Sequence, residues 1–343
     1  MNKILSKADL PRLGEQWMAQ ATVYAPVRRN GLTEFQPLHS MAQAELQPAA
    51  NTRRPPKSLF LPQSEAMFRV LYTDFEPIEA EVGARVILGI RACDARAVQL
   101  LDAVFETGDH PDPYWARRRE RTALVVLGCA NPSETCFCTA VGSGPFDGRG
   151  ADAMLIDVGD DYAVDVRSET GQALFGLLPD ASGEQMAVAR QVQDAATSKV
   201  KRPFETDGIR DKLYSLFDSD YWSDIQHACL GCGVCTFLCP TCHCFDIVDE
   251  IQRSERVRNW DSCMFRVYSQ EASGHNPHPT NVERIRQRIM HKFAYFPDLY
   301  HENGCTGCGR CVRYCPANLD IRHIIAGVQV QAGKQEKEYA QSV

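Results

Sequence analysis

Apolar and polar positions follow two regimes along this chain of 343 residues. In the first part, short unbroken apolar runs recur. RVILGIRACD (85–94) and TALVVLGCA (122–130) are rich in β-branched residues, which predicts buried strands. Between them, ARAVQLLDAVF sets Val98, Leu101 and Val104 at helical spacing and predicts an amphipathic helix. AMLIDVG and DYAVDVRS follow across a pair of aspartates and read as a hairpin. The stretch Pro48 to Pro62, rich in Pro, Arg and Lys, predicts an exposed loop.

A polar segment broken by Pro203, DAATSKVKRPFETDG (194–208), predicts a boundary between an N-terminal mixed α/β domain (1–200) and a second domain (201–343). Helix signals resume after it. Thr206 or Asp207 is placed to cap, and Ile209, Leu213, Leu216 and Phe217 share one face. The second domain reads as mostly helical, which makes the whole α+β. The last dozen residues are polar and are expected to fray.

Composition narrows the function. The hydrophobic fraction of 44% and charged fraction of 24% are those of a globular protein rather than a disordered or membrane-spanning one. A net charge of −7 argues against nucleic acid as a partner. The opening stretch MNKILSKADLPRLGEQW is interrupted by Lys7, Asp9 and Pro11, so no export signal is expected. No apolar run approaches the roughly 18 residues of a membrane span, so direct membrane insertion is not expected either. The expected location is the cytoplasm. There, 15 cysteines point to metal or cluster ligation rather than to disulfides.

One cysteine motif occurs twice. CLGCGVCTFLCP (229–240) and CTGCGRCVRYCP (305–316) both obey C-x2-C-x2-C-x3-C-P. This is the bacterial ferredoxin spacing, in which three cysteines hold one [4Fe–4S] cube and the fourth ligates the other cluster. It predicts one cluster on Cys229, Cys232, Cys235 and Cys315, and a second on Cys305, Cys308, Cys311 and Cys239. Gly231, Gly233, Gly307 and Gly309 free the backbone where it wraps each cluster. A zinc site uses four ligands, commonly as two C-x2-C pairs, and leaves cysteines of each copy without a role. The insert between the copies, 241–304, must loop out if the two cysteine loops are to pack together. CPTCH (239–243) matches a haem-attachment signal, but its first cysteine already belongs to the ferredoxin motif.

A third group comprises Cys93, Cys129, Cys136 and Cys138. Cys93 and Cys129 each follow a predicted strand, at the edge of an α/β sheet where ligands gather. A third [4Fe–4S] cluster is the preferred reading, against a zinc ion or buried inert thiols. Cys242, Cys244 and Cys263 are left without an assignment. In NVERIRQRIMHKF (281–293), Val282, Ile285, Ile289 and Phe293 form an apolar stripe. Arg284, Arg286, Arg288 and Lys292 form a basic face. The plain reading is a half-solvated helix; the functional one is a docking face whose charge raises a nearby cluster's potential.

LFLPQSEAMF, RACD, CANPSETCFC, CLGCGVCTFLCPTCHC, WDSCMF and CTGCGRCVRYCP together resemble two related families: the A subunit of anaerobic sulfite reductase and the beta subunit of cytoplasmic NiFe hydrogenases, the sulfhydrogenases. The likeness runs from about Pro55 to Ile325. It implies an electron-relay subunit between an FAD/NAD(P)-binding flavoprotein subunit and a catalytic oxidoreductase subunit. It also places Cys93, Cys129, Cys136 and Cys138 in cysteine-bearing motifs, which supports the third cluster. No flavin or nicotinamide is expected in this chain, because GSGPFDGRG (142–150) has Asp147 where a dinucleotide loop needs its third glycine. Two alternatives remain: a catalytic iron–sulfur reductase acting at the Cys93–Cys138 site, and a zinc-stabilised scaffold.

Overall fold

The computed structural model describes residues 2–46, 51–72, 74–80 and 82–342, with side chains up to 335. The strands are β1 (Asn2–Ser6), β2 (Thr22–Arg29), β3 (Leu32–Pro37), β4 (Ser64–Leu71), β5 (Asp74–Pro77), β6 (Arg85–Ile90), β7 (Thr122–Leu127), β8 (Ala153–Asp157), β9 (Asp161–Val166), β10 (Phe245–Glu250) and β11 (Glu255–Trp260). Two compact units result. The first comprises residues 1–61, 79–139 and 143–201, and the second residues 62–78, 140–142 and 202–343.

In the first unit, the described strands form a mixed sheet in the order β1-β9-β8-β7-β6-β2-β3. β2, β6, β7 and β8 run parallel, and β8–β9 is the antiparallel hairpin. β7 is buried at every position and β6 at all but its first, as strands covered on both faces must be. The cover comes from α1 (Leu10–Met18), α2 (Ala92–Phe105), α4 (Glu169–Phe175) and α5 (Gly183–Lys199), which pack on the sheet, while α3 (Pro113–Glu120) packs on α2. Val98 and Leu101 of α2 are buried as expected, with Phe105 rather than Val104 completing the buried face. Near the carboxyl end of β6 the register shifts around Gly89, which has φ +79°. Such a bulge re-aims the chain as it leaves the sheet.

The Pro48–Pro62 segment is not the exposed loop its composition suggested. Residues 47–50 lie outside the described part, but Thr52, Pro55, Pro56, Lys57, Phe60 and Leu61 are buried. Phe60 sits against Trp115 with ring centroids 5.6 Å apart, and its apolar ring outweighs the polar neighbours. The polar stretch at 194–208 is helical to Lys199, where α5 ends.

The second unit contains α6 (Ile209–Ser215), α7 (Tyr221–Gln226), α8 (Val234–Phe237), α9 (Asn281–Met290), α10 (Phe296–Tyr300), α11 (Arg310–Arg313) and α12 (Ile321–Ser342). The expectation of a mostly helical domain is corrected here, because the unit also holds an antiparallel sheet in the order β10-β11-β4-β5. β4 and β5 come from 62–78, so the chain ahead of the expected boundary contributes to this unit by pairing β4 with β11. A buried ion pair, Arg258 Nη2 to Glu65 Oε2 at 2.6 Å, ties those two strands. α6 starts at Gly208, with φ +65° and no capping side chain, so neither Thr206 nor Asp207 caps it through its side chain. Ile209, Leu213 and Leu216 are buried as their spacing required. The expected fraying of the last dozen residues concerns side chains mostly outside the described part; the described backbone continues α12 to Ser342.

Candidate iron–sulfur site

The two cysteine loops adopt the same backbone. Gly231 and Gly233 have φ of +64° and +73°; Gly307 and Gly309 have +64° and +75°. Side chains rarely adopt this left-handed conformation, so glycine is favoured at both places of each copy. Each loop then turns into a single short helix, α8 or α11, begun by Gly233 or Gly309. The same amide–sulfur bond recurs: Gly231 N donates to Cys229 Sγ at 3.4 Å, and Gly307 N to Cys305 Sγ at 3.5 Å. Leu319 N donates to Cys315 Sγ at 3.2 Å. α8 and α11 pack against each other, so the insert does loop out and the copies meet.

Their meeting creates a largely apolar cavity. Cys229, Cys232 and Cys235 of the first copy line it together with Cys311 and Cys315 of the second. Arg288, Met264 and Ile285 complete part of its wall. The second grouping lies deeper. Cys239 and Cys308 are buried, and Cys305, Cys311 and Cys239 lie within electrostatic reach of one another. Burial raises the thiols of Cys235 and Cys311 and pushes Cys305 up to about 12, so these remain neutral until a metal displaces the proton. Cys239 goes the other way. A hydrogen bond from Cys242, the Lys292 charge and Thr241 hold it well below the ordinary thiol value.

Lys292 explains much of that. It is buried and donates to Cys239 Sγ at 3.3 Å, Thr241 Oγ1 at 3.0 Å and the Gly304 carbonyl at 3.0 Å. It lies in a π-helical turn, His291–Tyr295, that prolongs α9. Pro297 lacks an N–H and its ring crowds the carbonyl four residues back, which favours such a widened turn. The half-solvated basic face expected of this helix is therefore corrected: Arg284, Arg288 and Lys292 are buried, and Arg286 is partly so. Their i, i+4, i+8 spacing places them on one face beside the Ile285–Ile289–Phe293 stripe. That spacing was the readable signal, and it was outweighed by the expectation that cations stay in water.

The donor set fits iron–sulfur cubes. Arg288 keeps Nε and Nη2 buried without a hydrogen-bond partner, and Thr306 Oγ1 is likewise orphaned beside Cys305. Cluster sulfides and thiolates would be suitable acceptors for such buried donors. Among the described residues no three His, Cys, Asp or Glu side chains converge as one metal ion requires. Four thiolates on one zinc ion would stand about 3.8 Å apart, given a Zn–S bond of about 2.3 Å in a tetrahedron. A cube gives each thiolate its own iron and spreads them wider.

Each of the three unassigned cysteines is hydrogen-bonded to another thiol. Cys242 donates to Cys239. Cys244 bonds Cys263 and accepts from the Tyr268 hydroxyl, which lowers Cys244 to about 6 while Cys263 is raised. In the first unit, Cys93 stands at the start of α2 and Cys129 two residues beyond β7, at the carboxyl ends of adjacent parallel strands. Arg91 donates to the Leu127 and Gly128 carbonyls and links the two strand ends. Cys136 and Cys129 each lie within electrostatic reach of Cys138, and burial first, then those two thiols, pushes Cys138 up to about 12. Thr139 Oγ1 beside them is buried without a partner. Asn51 Nδ2 faces Cys93 Sγ at 3.9 Å.

This is the framework of a ferredoxin-type iron–sulfur protein. Residues 228–319 match the family described as a 4Fe-4S dicluster domain. The chain is also 32% identical over 305 residues to sulfhydrogenase 2 subunit beta of Pyrococcus furiosus, covering 87% of this chain and 89% of that protein. It belongs to that family of sulfhydrogenase beta subunits. No solved structure matches the chain. Among the described residues no helix is long and apolar enough to cross a membrane.

Proposed function

We propose that this chain is the electron-transfer subunit of a cytoplasmic, multi-subunit oxidoreductase. It relays electrons between an FAD/NAD(P)-binding flavoprotein subunit and a catalytic subunit of NiFe hydrogenase or sulfite/sulfur reductase type. Cys229, Cys232, Cys235 and Cys315 hold one cluster, and Cys305, Cys308, Cys311 and Cys239 a second. Cys93, Cys129, Cys136 and Cys138 hold a third. A [4Fe–4S] cluster supplies one-electron storage with little rearrangement.

The observation that carries this reading is the shared backbone of the two cysteine loops, with thiols from both copies lining one cavity. The protein's own part is to bury the sulfurs, aim Gly231 and Gly307 amides at them and hold cations beside them. A hydrogenase-type partner is favoured over a sulfite reductase by the name of the similar protein, a sulfhydrogenase subunit. Anaerobic purification with iron and acid-labile sulfide counts, followed by EPR of the reduced chain, tests the reading. About twelve irons per chain are expected for three clusters, at four irons per cube. A colourless protein without labile sulfide overturns it. Subunits that co-purify identify the catalytic partner.

A further inference from the structure

Three cations of one helix face are buried in the second unit, and they are not satisfied alike. Burying a charge is costly unless hydrogen bonds and counter-charges replace water. Arg284 is better met, donating to the His278 carbonyl at 3.0 Å, the Pro279 carbonyl at 3.1 Å and Asn281 Oδ1 at 2.6 Å, with only its Nε left without a partner. Lys292 is met by Cys239, Thr241 and Gly304. Arg288, one turn from each, keeps two buried nitrogens without an acceptor. It lines the cavity of Cys229, Cys232, Cys235, Cys311 and Cys315, and its charge is felt by Cys235 of the first loop and Cys311 of the second.

A buried guanidinium left half-satisfied signals an acceptor that the side chains themselves do not supply. The nearby groups are thiols and apolar side chains, so the missing acceptor is sulfur of the cavity's occupant. We propose that Arg288 donates from Nε and Nη2 to the cluster held by Cys229, Cys232, Cys235 and Cys315 and raises its reduction potential, while Lys292 does the same for the other cluster through Cys239. Reduction adds one negative charge to a cluster. A fixed cation and N–H···S bonds stabilise that reduced form more than the oxidised one. Because the two residues are four positions apart on one helix face, a single element sets the two potentials to different extents. The inference rests on the dicluster reading of the two loops.

The test is an EPR-monitored redox titration of the full-length chain and of the R288Q, R288K and K292Q variants. The signal of the first cluster is identified by its loss in a C229S/C315S variant. R288Q is expected to shift the first potential negative by about 59 mV, a tenfold change in the one-electron equilibrium, and the second by less. R288K retains the charge and falls between R288Q and the parent. K292Q shifts mainly the second potential. Unchanged potentials in R288Q, or equal shifts of both clusters, overturn the proposal. If R288Q does not assemble its clusters, pulsed EPR of the parent labelled with 15N-arginine decides. A 15N coupling to the first cluster that disappears in R288K supports the assignment, and no such coupling defeats it. Absence of iron and labile sulfide from the parent would instead defeat the dicluster reading, so the two failures are distinguishable.

Discussion

Gly233 and Gly309 occupy corresponding places in the two cysteine loops and share one backbone conformation, with φ of +73° and +75°. A Cβ on Gly233 would also stand 2.7 Å from the Phe265 ring. G233A is therefore expected to cost about 1–2 kcal/mol from the left-handed backbone alone, with the ring contact adding to it. It should also lower the iron content, because the loop that presents Cys232 and Cys235 is displaced. Urea unfolding with iron counts checks both; an unchanged midpoint and full iron would show that the turn is not required.

Crossed ligation makes a specific claim about Cys315. If it shares a cluster with Cys229, the single variants C229S and C315S and their double variant should each lose about four irons, since one cube is destroyed in every case. If each loop kept its own fourth cysteine, the double variant would lose about eight. Iron analysis of anaerobically purified chains separates the two outcomes.

The third site can be counted in the same way. C136S/C138S is expected to lower the iron content from about twelve to about eight per chain while leaving the signals of the other two clusters in place. A parent already at about eight, with no change in the variant, would make these thiols plain packing residues.

His291 provides a pH dependence. Burial, with His243 and Lys292 nearby, lowers it from the ordinary 6.5 to about 3. The folded chain thus keeps it neutral where the unfolded chain is protonated. Stability is unaffected above about pH 6.5 and falls as pH drops from there towards 3. At pH 5 the cost is about 2 kcal/mol relative to pH 7.5. H291Q should lose correspondingly less stability between those pH values, measured by urea unfolding. Parallel losses in both proteins would mean that His291 titrates normally in the fold.

Much of the chemistry was readable without any structure, because it is local. A cube needs thiolates at short fixed intervals on a loop that only glycine can bend, so C-x2-C-x2-C-x3-C-P declares itself in twelve letters. The buried strands 85–90 and 122–127 were equally plain, since a strand covered on both faces has no polar positions to hide it. The basic helix misled. Its charges predicted solvent, and a helix carries no record of what will face it.

What the sequence determined by itself was therefore the ligand set's spacing and the short-range elements, both governed by contacts within a few residues. Only the tertiary structure decided that β4 would leave the first part of the chain to pair with β11, joining Glu65 to Arg258 across 193 positions. It alone also decided that Arg288 and Lys292 would be driven under the cysteine loops. Burial of a charge depends on the sum of distant neighbours that replace its water, and that sum has no period along the chain.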